Sequence, residues 1–217
     1  MVEESAGLVI AGTALADTRW LADRIADTAR TWRHDDPRVI GTLWWYIVSS
    51  TMLEEPMRAL VATGSAPDPA LEALTCTVRP DGSLERVTSS GVVDGPSAFA
   101  TALGASLHSI VTALASVSGA GEPSLWAIAA DALGNRVLDA SPTDHDRATE
   151  LALTIADVIG DVMPTPRFVD VGNHRYVHRT SCCLIYLTGV ADKCVSCPRR
   201  TPEERAGLLA ARAGTGR

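Results

Sequence analysis

Four of the five cysteines in this 217-residue chain, Cys182, Cys183, Cys194 and Cys197, fall within sixteen residues near the C-terminus. The opening MVEESAGLVIAGT carries two acids where an export signal carries positive charge, and Gly12 and Thr13 break its short apolar stretch. A cytoplasmic, reducing setting is therefore expected, and an odd cysteine count there speaks against a disulfide framework. Four clustered thiols in such a setting point to a bound metal. The segment around them must bend to aim four sulfurs at one centre.

The spacing is Cys-Cys, ten residues, Cys, two residues, Cys, within RTSCCLIYLTGVADKCVSCPRR. A CxxC pair is a common chelate, because two intervening residues let both sulfurs face one ion while loop amides point at them. Zinc ribbons pair one CxxC with another, whereas here the first half is an adjacent pair. Adjacent side chains diverge in a strand and stand about 100° apart on a helix, so they reach one centre only across a bend or from a helix start. A diiron cluster relaxes that demand by spreading four ligand positions over two irons. Four thiols without an obligatory histidine, followed by Pro198, suit iron-sulfur chemistry; zinc stays open at this level. Two further classes are thus a zinc-stabilised interaction module and an iron-sulfur sensor.

The stretch R-T-S-C-C-L-I-Y followed by C-V-S-C-P resembles the C-terminal signature of the FhuF-type ferric-siderophore reductases, whose CC-x10-C-x2-C pattern it reproduces without a gap. The resemblance covers roughly residues 179 to 198. It implies a [2Fe-2S] cluster on Cys182, Cys183, Cys194 and Cys197, used for one-electron reduction of siderophore-bound Fe(III). It also implies a mostly helical fold with a small antiparallel sheet. The chemistry is coherent, because Fe(II) binds hard oxygen donors more weakly than Fe(III) does. No Gly-rich phosphate loop is present, so nicotinamide or flavin is expected on a separate donor, a ferredoxin or an NAD(P)H-dependent reductase.

Upstream, the pattern is α+β and predominantly helical, with 1–163 as a helical body and 164–217 as a C-terminal metal-binding segment. At this length the body can bury a core without a metal. Asp17 caps a helix to about Arg33 with Leu21, Ile25, Thr28 and Trp32 on one face. Pro37 opens a second, running through Leu53, and Pro56 opens a third, ended by Gly64. Trp44, Trp45 and Tyr46 cannot share one narrow face, so that helix is covered on several sides. Residues 74–88 form a hairpin turning at Pro80-Asp81-Gly82, with Cys76 on its apolar face as a structural thiol. Helices follow over 97–117, 123–138 and 144–162, then a hairpin about Gly172-Asn173 that sets Asp170 against Arg175 and Val169 against Tyr176. Thr201-Pro202-Glu203-Glu204 is a capping box for a last helix. The longest uncharged apolar run is read as 39–53, too short for a membrane span.

A net charge of -7 argues against nucleic acid as a partner. The charge is nevertheless segregated: residues 167–200 hold six cations against Asp170 and Asp192, a local +4. Arg175, Arg179, Lys193, Arg199 and Arg200 are therefore candidate contacts for an anionic ferric siderophore or an acidic electron-transfer partner. The alternative is a solvated face that offsets the negative charge of a four-thiolate cluster. His174 and His178 share one strand face ahead of Cys182 and are expected at the surface or supporting the site, not as ligands.

Overall fold

The computed structural model describes residues 7–214. Helix α1 (Thr18–Trp32) begins where the Asp17 carboxylate accepts the Trp20 amide at 2.7 Å, and it buries Leu21, Ile25 and Thr28. Helix α2 (Pro37–Thr63) is opened by Asp36 as N-cap and Pro37 in its first turn. The sequence places a helix end before Pro56, but α2 runs through it as one element. Losing one helical hydrogen bond to the proline ring costs about 3 kcal/mol. Met52, Leu53, Met57 and Leu60 on either side are all buried, each worth about 1.5–3 kcal/mol. Packing therefore outweighs the proline.

The three consecutive aromatics of α2 serve three sides. Trp44 donates to the Gly82 carbonyl at 2.9 Å and meets Trp20 edge-on, Trp45 donates to the Leu125 carbonyl at 2.8 Å, and Tyr46 lies under the Arg179 guanidinium. Both buried indoles thus have partners, as a dry interior requires.

Helices α3 (Gly95–Ser118), α4 (Glu122–Ala140) and α5 (His145–Ile159) complete the body, with α4 packed along α2 and α5. The longest run without Asp, Glu, Lys or Arg belongs to α3 and extends over 95–121, not 39–53; its many small residues mask it. By length and composition α3 could cross a membrane, but half of its most apolar stretch is buried, with Phe99, Leu103 and Leu107 in the core.

Strands β1 (Leu8–Ala11), β3 (Leu74–Val78) and β4 (Leu84–Ser89) form an antiparallel sheet in the order β1-β3-β4. The hairpin β3–β4 lies where the sequence puts it, with Gly82 at φ +82 in the turn and Cys76 buried, its thiol raised to about 11 by burial alone. The added strand β1 was not legible, because Leu8, Val9, Ile10 and Ala11 are all apolar and lack the alternation that marks a half-buried strand, and Leu8 and Val9 are both exposed. A small pair, β2 (Ser65–Pro67) with β5 (Val92–Asp94), links the ends of α2 and α3.

The second hairpin, β6 (Phe168–Val171) and β7 (His174–Val177), has the expected register, Asp170 opposite Arg175 and Val169 opposite Tyr176. Helix α6 (Pro202–Gly214) opens on the expected capping box: the Thr201 amide donates to Glu204 at 3.0 Å and the Glu204 amide to the Thr201 hydroxyl at 3.2 Å. The architecture is α+β and mainly helical with small antiparallel sheets.

The main apolar core extends from Leu15 to Met163; Val177, Cys183, Cys197 and Leu209 are buried outside it. Gly134 joins the two parts. A Cβ there would stand 2.9 Å from Val177 Cγ2 and 3.5 Å from the Phe168 ring, so only glycine lets β6 and β7 lie directly on α4. Gly134→Val should therefore destabilise the fold by about 2 kcal/mol, or about 4–8 °C in Tm by thermal circular dichroism. Gly134→Ala should cost less, since alanine regains about 1 kcal/mol of helix propensity. An unchanged Tm in the valine variant would disprove the close approach.

Candidate metal centre

The segment that carries the cysteines has little regular structure, so polar side chains hold it. It leaves β7 at Val177, and the next buried side chain is Arg179, only 4% exposed. Its Nε donates to Asp131 on α4 at 3.3 Å, its Nη1 to Cys194 Sγ at 3.3 Å, and its guanidinium carbon stands 4.8 Å over the Tyr46 ring. Asp131, itself 3% exposed, also accepts from the Thr180 amide at 3.3 Å and the Ser181 amide at 3.5 Å. One carboxylate thus pins three successive residues just ahead of the first cysteine. Ser181 adds a hydroxyl contact of 2.6 Å to Ser124 on the first turn of α4.

Burial pushes the Asp131 carboxyl up, while Arg179 and the two amides pull it back. Burial likewise opposes the Arg179 charge, yet Cys194, Asp131 and Cys183 outweigh it and hold the guanidinium above the usual arginine range. Asp131 and Tyr46 are functional residues that sequence reasoning missed. The available signal was a lone acid inside the apolar run SLWAIAADALG, which must find a partner when buried.

After Cys182 and Cys183 the chain bends. Leu184 adopts the left-handed conformation at φ +63, which costs a non-glycine residue about 1–2 kcal/mol, and a short 3-10 turn follows over Ile185–Thr188. The Leu184 amide donates to Cys182 Sγ at 3.4 Å. The neighbouring Cys182 thiol, assisted by the Ile185 amide and Arg179, pulls the Cys183 thiol down against its burial. On the other side the Cys197 amide donates to the Cys194 carbonyl at 3.1 Å, closing the CxxC loop. Burial raises the Cys194 thiol and Arg179 opposes it.

The donor set fits the diiron cluster implied by the sequence resemblance. Cys182 and Cys197 Sγ are 3.6 Å apart, close to the roughly 3.75 Å that tetrahedral bonds of about 2.3 Å impose on two sulfurs at one metal. Cys183 and Cys194 both face Arg179, whose Nη2 is buried without a partner among the described residues. A buried N–H beside thiols calls for an acceptor, which a sulfide or thiolate supplies. Among the described residues no three donors surround one ion position. A diiron core does not need that, since its ligands divide two to each iron.

The remaining candidate residues are placed as follows. Arg175 is held by Asp170 at 2.6 Å and Asp146 at 2.8 Å, and Arg179 is interior. Arg200 donates to the Cys194 carbonyl at 3.0 Å and to the Lys193 carbonyl, so it braces the CxxC loop. Lys193 donates to the Arg199 carbonyl at 3.3 Å and stands over Tyr186. Only the Arg199 side chain, of these five, projects into solvent without such a partner among the described residues. His178 contacts Arg205 at 3.3 Å and His174 stacks loosely beside Tyr176, so both support the hairpin and α6 rather than the thiols.

Asp131→Ala should leave Arg179 as an uncompensated buried charge and cost about 3–5 kcal/mol. Chemical denaturation of the metal-free chain measures this apart from metal binding. A variant as stable as the parent would show that the pair does not anchor the segment.

Residues 179–199 match the family described as the FhuF 2Fe-2S C-terminal domain. No curated protein matches the chain. The matched stretch spans the four cysteines and Arg179 but stops short of Asp131, Tyr46 and the helical body, which are this chain's own framework for it. The C-terminal segment is thus of the FhuF type, and the cofactor of that segment is a [2Fe-2S] cluster.

Proposed function

We propose that the chain is a cytoplasmic ferric-siderophore reductase that adds one electron to siderophore-bound Fe(III). Its electrons come from a separate donor, a ferredoxin or an NAD(P)H-dependent reductase. The observation that carries this reading is the position of the thiols. Cys182 and Cys194 are partly exposed, and each forms part of the wall of a groove, of about 360 Å³ and about 270 Å³ respectively. A structural metal site is closed by its protein ligands; a relay between two partners needs its ligands near the surface.

When bound, the cluster supplies a one-electron store at the four thiolates. The protein's part is to hold them and to set the local field. The Leu184 and Ile185 amides and Arg179 direct positive hydrogens at the sulfurs, which offsets the negative charge of a four-thiolate site and favours its accepting an electron. Fe(III) in the chelate becomes Fe(II), whose weaker hold on hard oxygen donors releases it.

Anaerobically purified protein should be red-brown with about two irons and two sulfides per chain. After reduction by dithionite and removal of the excess, its visible spectrum should return to the oxidised form on adding a ferric siderophore, with matching Fe(II) captured by a ferrous-specific chelator. Serine at Cys182, Cys183, Cys194 or Cys197 should remove or destabilise the chromophore; Cys76→Ala should keep it. A colourless protein with one zinc per chain, or a reduced cluster that no ferric chelate reoxidises, would overturn the reading.

A further inference from the structure

The two grooves beside the thiols differ in charge. On the Cys194 side every arginine is engaged: Arg136 with Asp139 at 3.0 Å, Arg179 with Asp131 at 3.3 Å, and Arg212 with a partner within the protein. Asp139 also lines that groove. The Cys182 side is different. Its walls bring Arg38 from the first turn of α2 together with Arg199 from the loop after Cys197, and among the described residues no carboxylate lines it.

Both arginines are exposed, and neither guanidinium has an ion-pair or hydrogen-bond partner among the described residues. The nearest acid in sequence, Asp36, is turned to the Arg38 backbone amide, which it caps at 2.9 Å. Ser124 and Thr180 line the groove with Cys182; the Thr180 hydroxyl donates to Asp131 at 3.4 Å, and the Ser124 hydroxyl shares a hydrogen with Ser181 at 2.6 Å. The N-terminus of α4 also lies here but adds little, because its first turn carries Glu122, Pro123 has no amide hydrogen, and the Ser124 amide donates to the Gly121 carbonyl at 2.9 Å. Two unpaired cations and a serine hydroxyl favour an oxygen-rich anion.

Resting on the reductase reading, we infer that this groove is the chelate site and that it takes Fe(III) complexes of net negative charge. Arg38 and Arg199 hold the outer oxygens of the chelate, and the Ser124 hydroxyl donates to it while accepting from Ser181. Cys182 is the thiol nearest the iron. No bond to the protein forms or breaks. Fe(III) takes one electron through the Cys182 side and becomes Fe(II), and the separate donor restores that electron. Arg38 lies 144 positions before Cys182 in the chain, so the site exists only when the helical body and the C-terminal segment are assembled.

A redox-inert probe separates binding from electron transfer. A trianionic gallium(III) tris-catecholate, titrated into the cluster-loaded protein at low ionic strength, should bind and perturb the visible circular dichroism of the cluster. Arg38→Glu and Arg199→Glu should each weaken binding about tenfold, less at high salt, whereas Arg86→Glu on β4 should not. A neutral gallium(III) tris-hydroxamate should be insensitive to both reversals. Unchanged affinity for the trianion in the Arg38 and Arg199 variants would overturn this site, while the wild type's turnover of ferric chelates would leave the reductase reading intact. A wild type that neither binds the gallium complex nor reduces its iron counterpart would remove both.

Discussion

The arrangement of the thiols depends on one interior ion pair, Arg179 with Asp131. Such a pair is not there for stability alone: removing two ions from water costs several kcal/mol each, and well-packed apolar residues of similar size often serve as well. What apolar residues could not do is direct N–H groups. Asp131 accepts from Arg179, Thr180 and Ser181 in succession, so it fixes both a side chain and the course of the backbone. Arg179, oriented from behind, donates through Nη1 to Cys194 and leaves Nη2 buried beside the thiols without a partner among the described residues. The Tyr46 face beneath the guanidinium tolerates the charge without competing for its hydrogens.

The pair works because the body around it is rigid. Asp131 sits in the middle of α4, between buried Ala130 and Ala132 on a helix covered by α2 and α5, so its carboxylate has little freedom. Gly134, one turn later, lets the β6–β7 hairpin lie flat on the same helix, and β7 delivers Arg179 two residues beyond its end. Arg175 ties that hairpin to α5 through Asp146. A single helix therefore positions both the entry to the cysteine segment and the carboxylate that receives it. The left-handed Leu184 and the Arg200 brace then shape the loop itself.

Signals confined to a few neighbouring residues were readable in the sequence. The β6–β7 register follows from a Gly-Asn turn and two complementary cross-strand pairs, the α6 start from a capping box, and the metal segment from cysteine spacing. The features that escaped depend on residues far apart in the chain. Pro56 is a breaker locally, and only the burial of Met52, Leu53, Met57 and Leu60 keeps α2 whole. β1 is a strand because β3 offers it an edge, not because its pattern asks for one. The basic residues after 167 read as one surface patch, but long-range acids on α4 and α5 capture Arg179 and Arg175, and backbone carbonyls capture Lys193 and Arg200. Charge counting sees none of this. It also cannot see Arg38, which the fold carries in from α2.

Local charge at the centre therefore has to be judged by which cations are left unpaired, not by how many surround it. The chain as a whole carries -7, and at long range that field repels an anion. Screening confines it, since the Debye length at physiological salt is about 8 Å. Inside that distance an approaching anion meets whichever groups are closest and not already neutralised. On the Cys194 face these are ion pairs whose fields largely cancel. On the Cys182 face they are two exposed guanidinium groups. The same fold that spends Arg175, Arg179 and Arg200 on internal contacts thus leaves one side of the thiol site electrostatically distinct from the other, a difference by which the proposed relay would tell an electron donor from an electron acceptor.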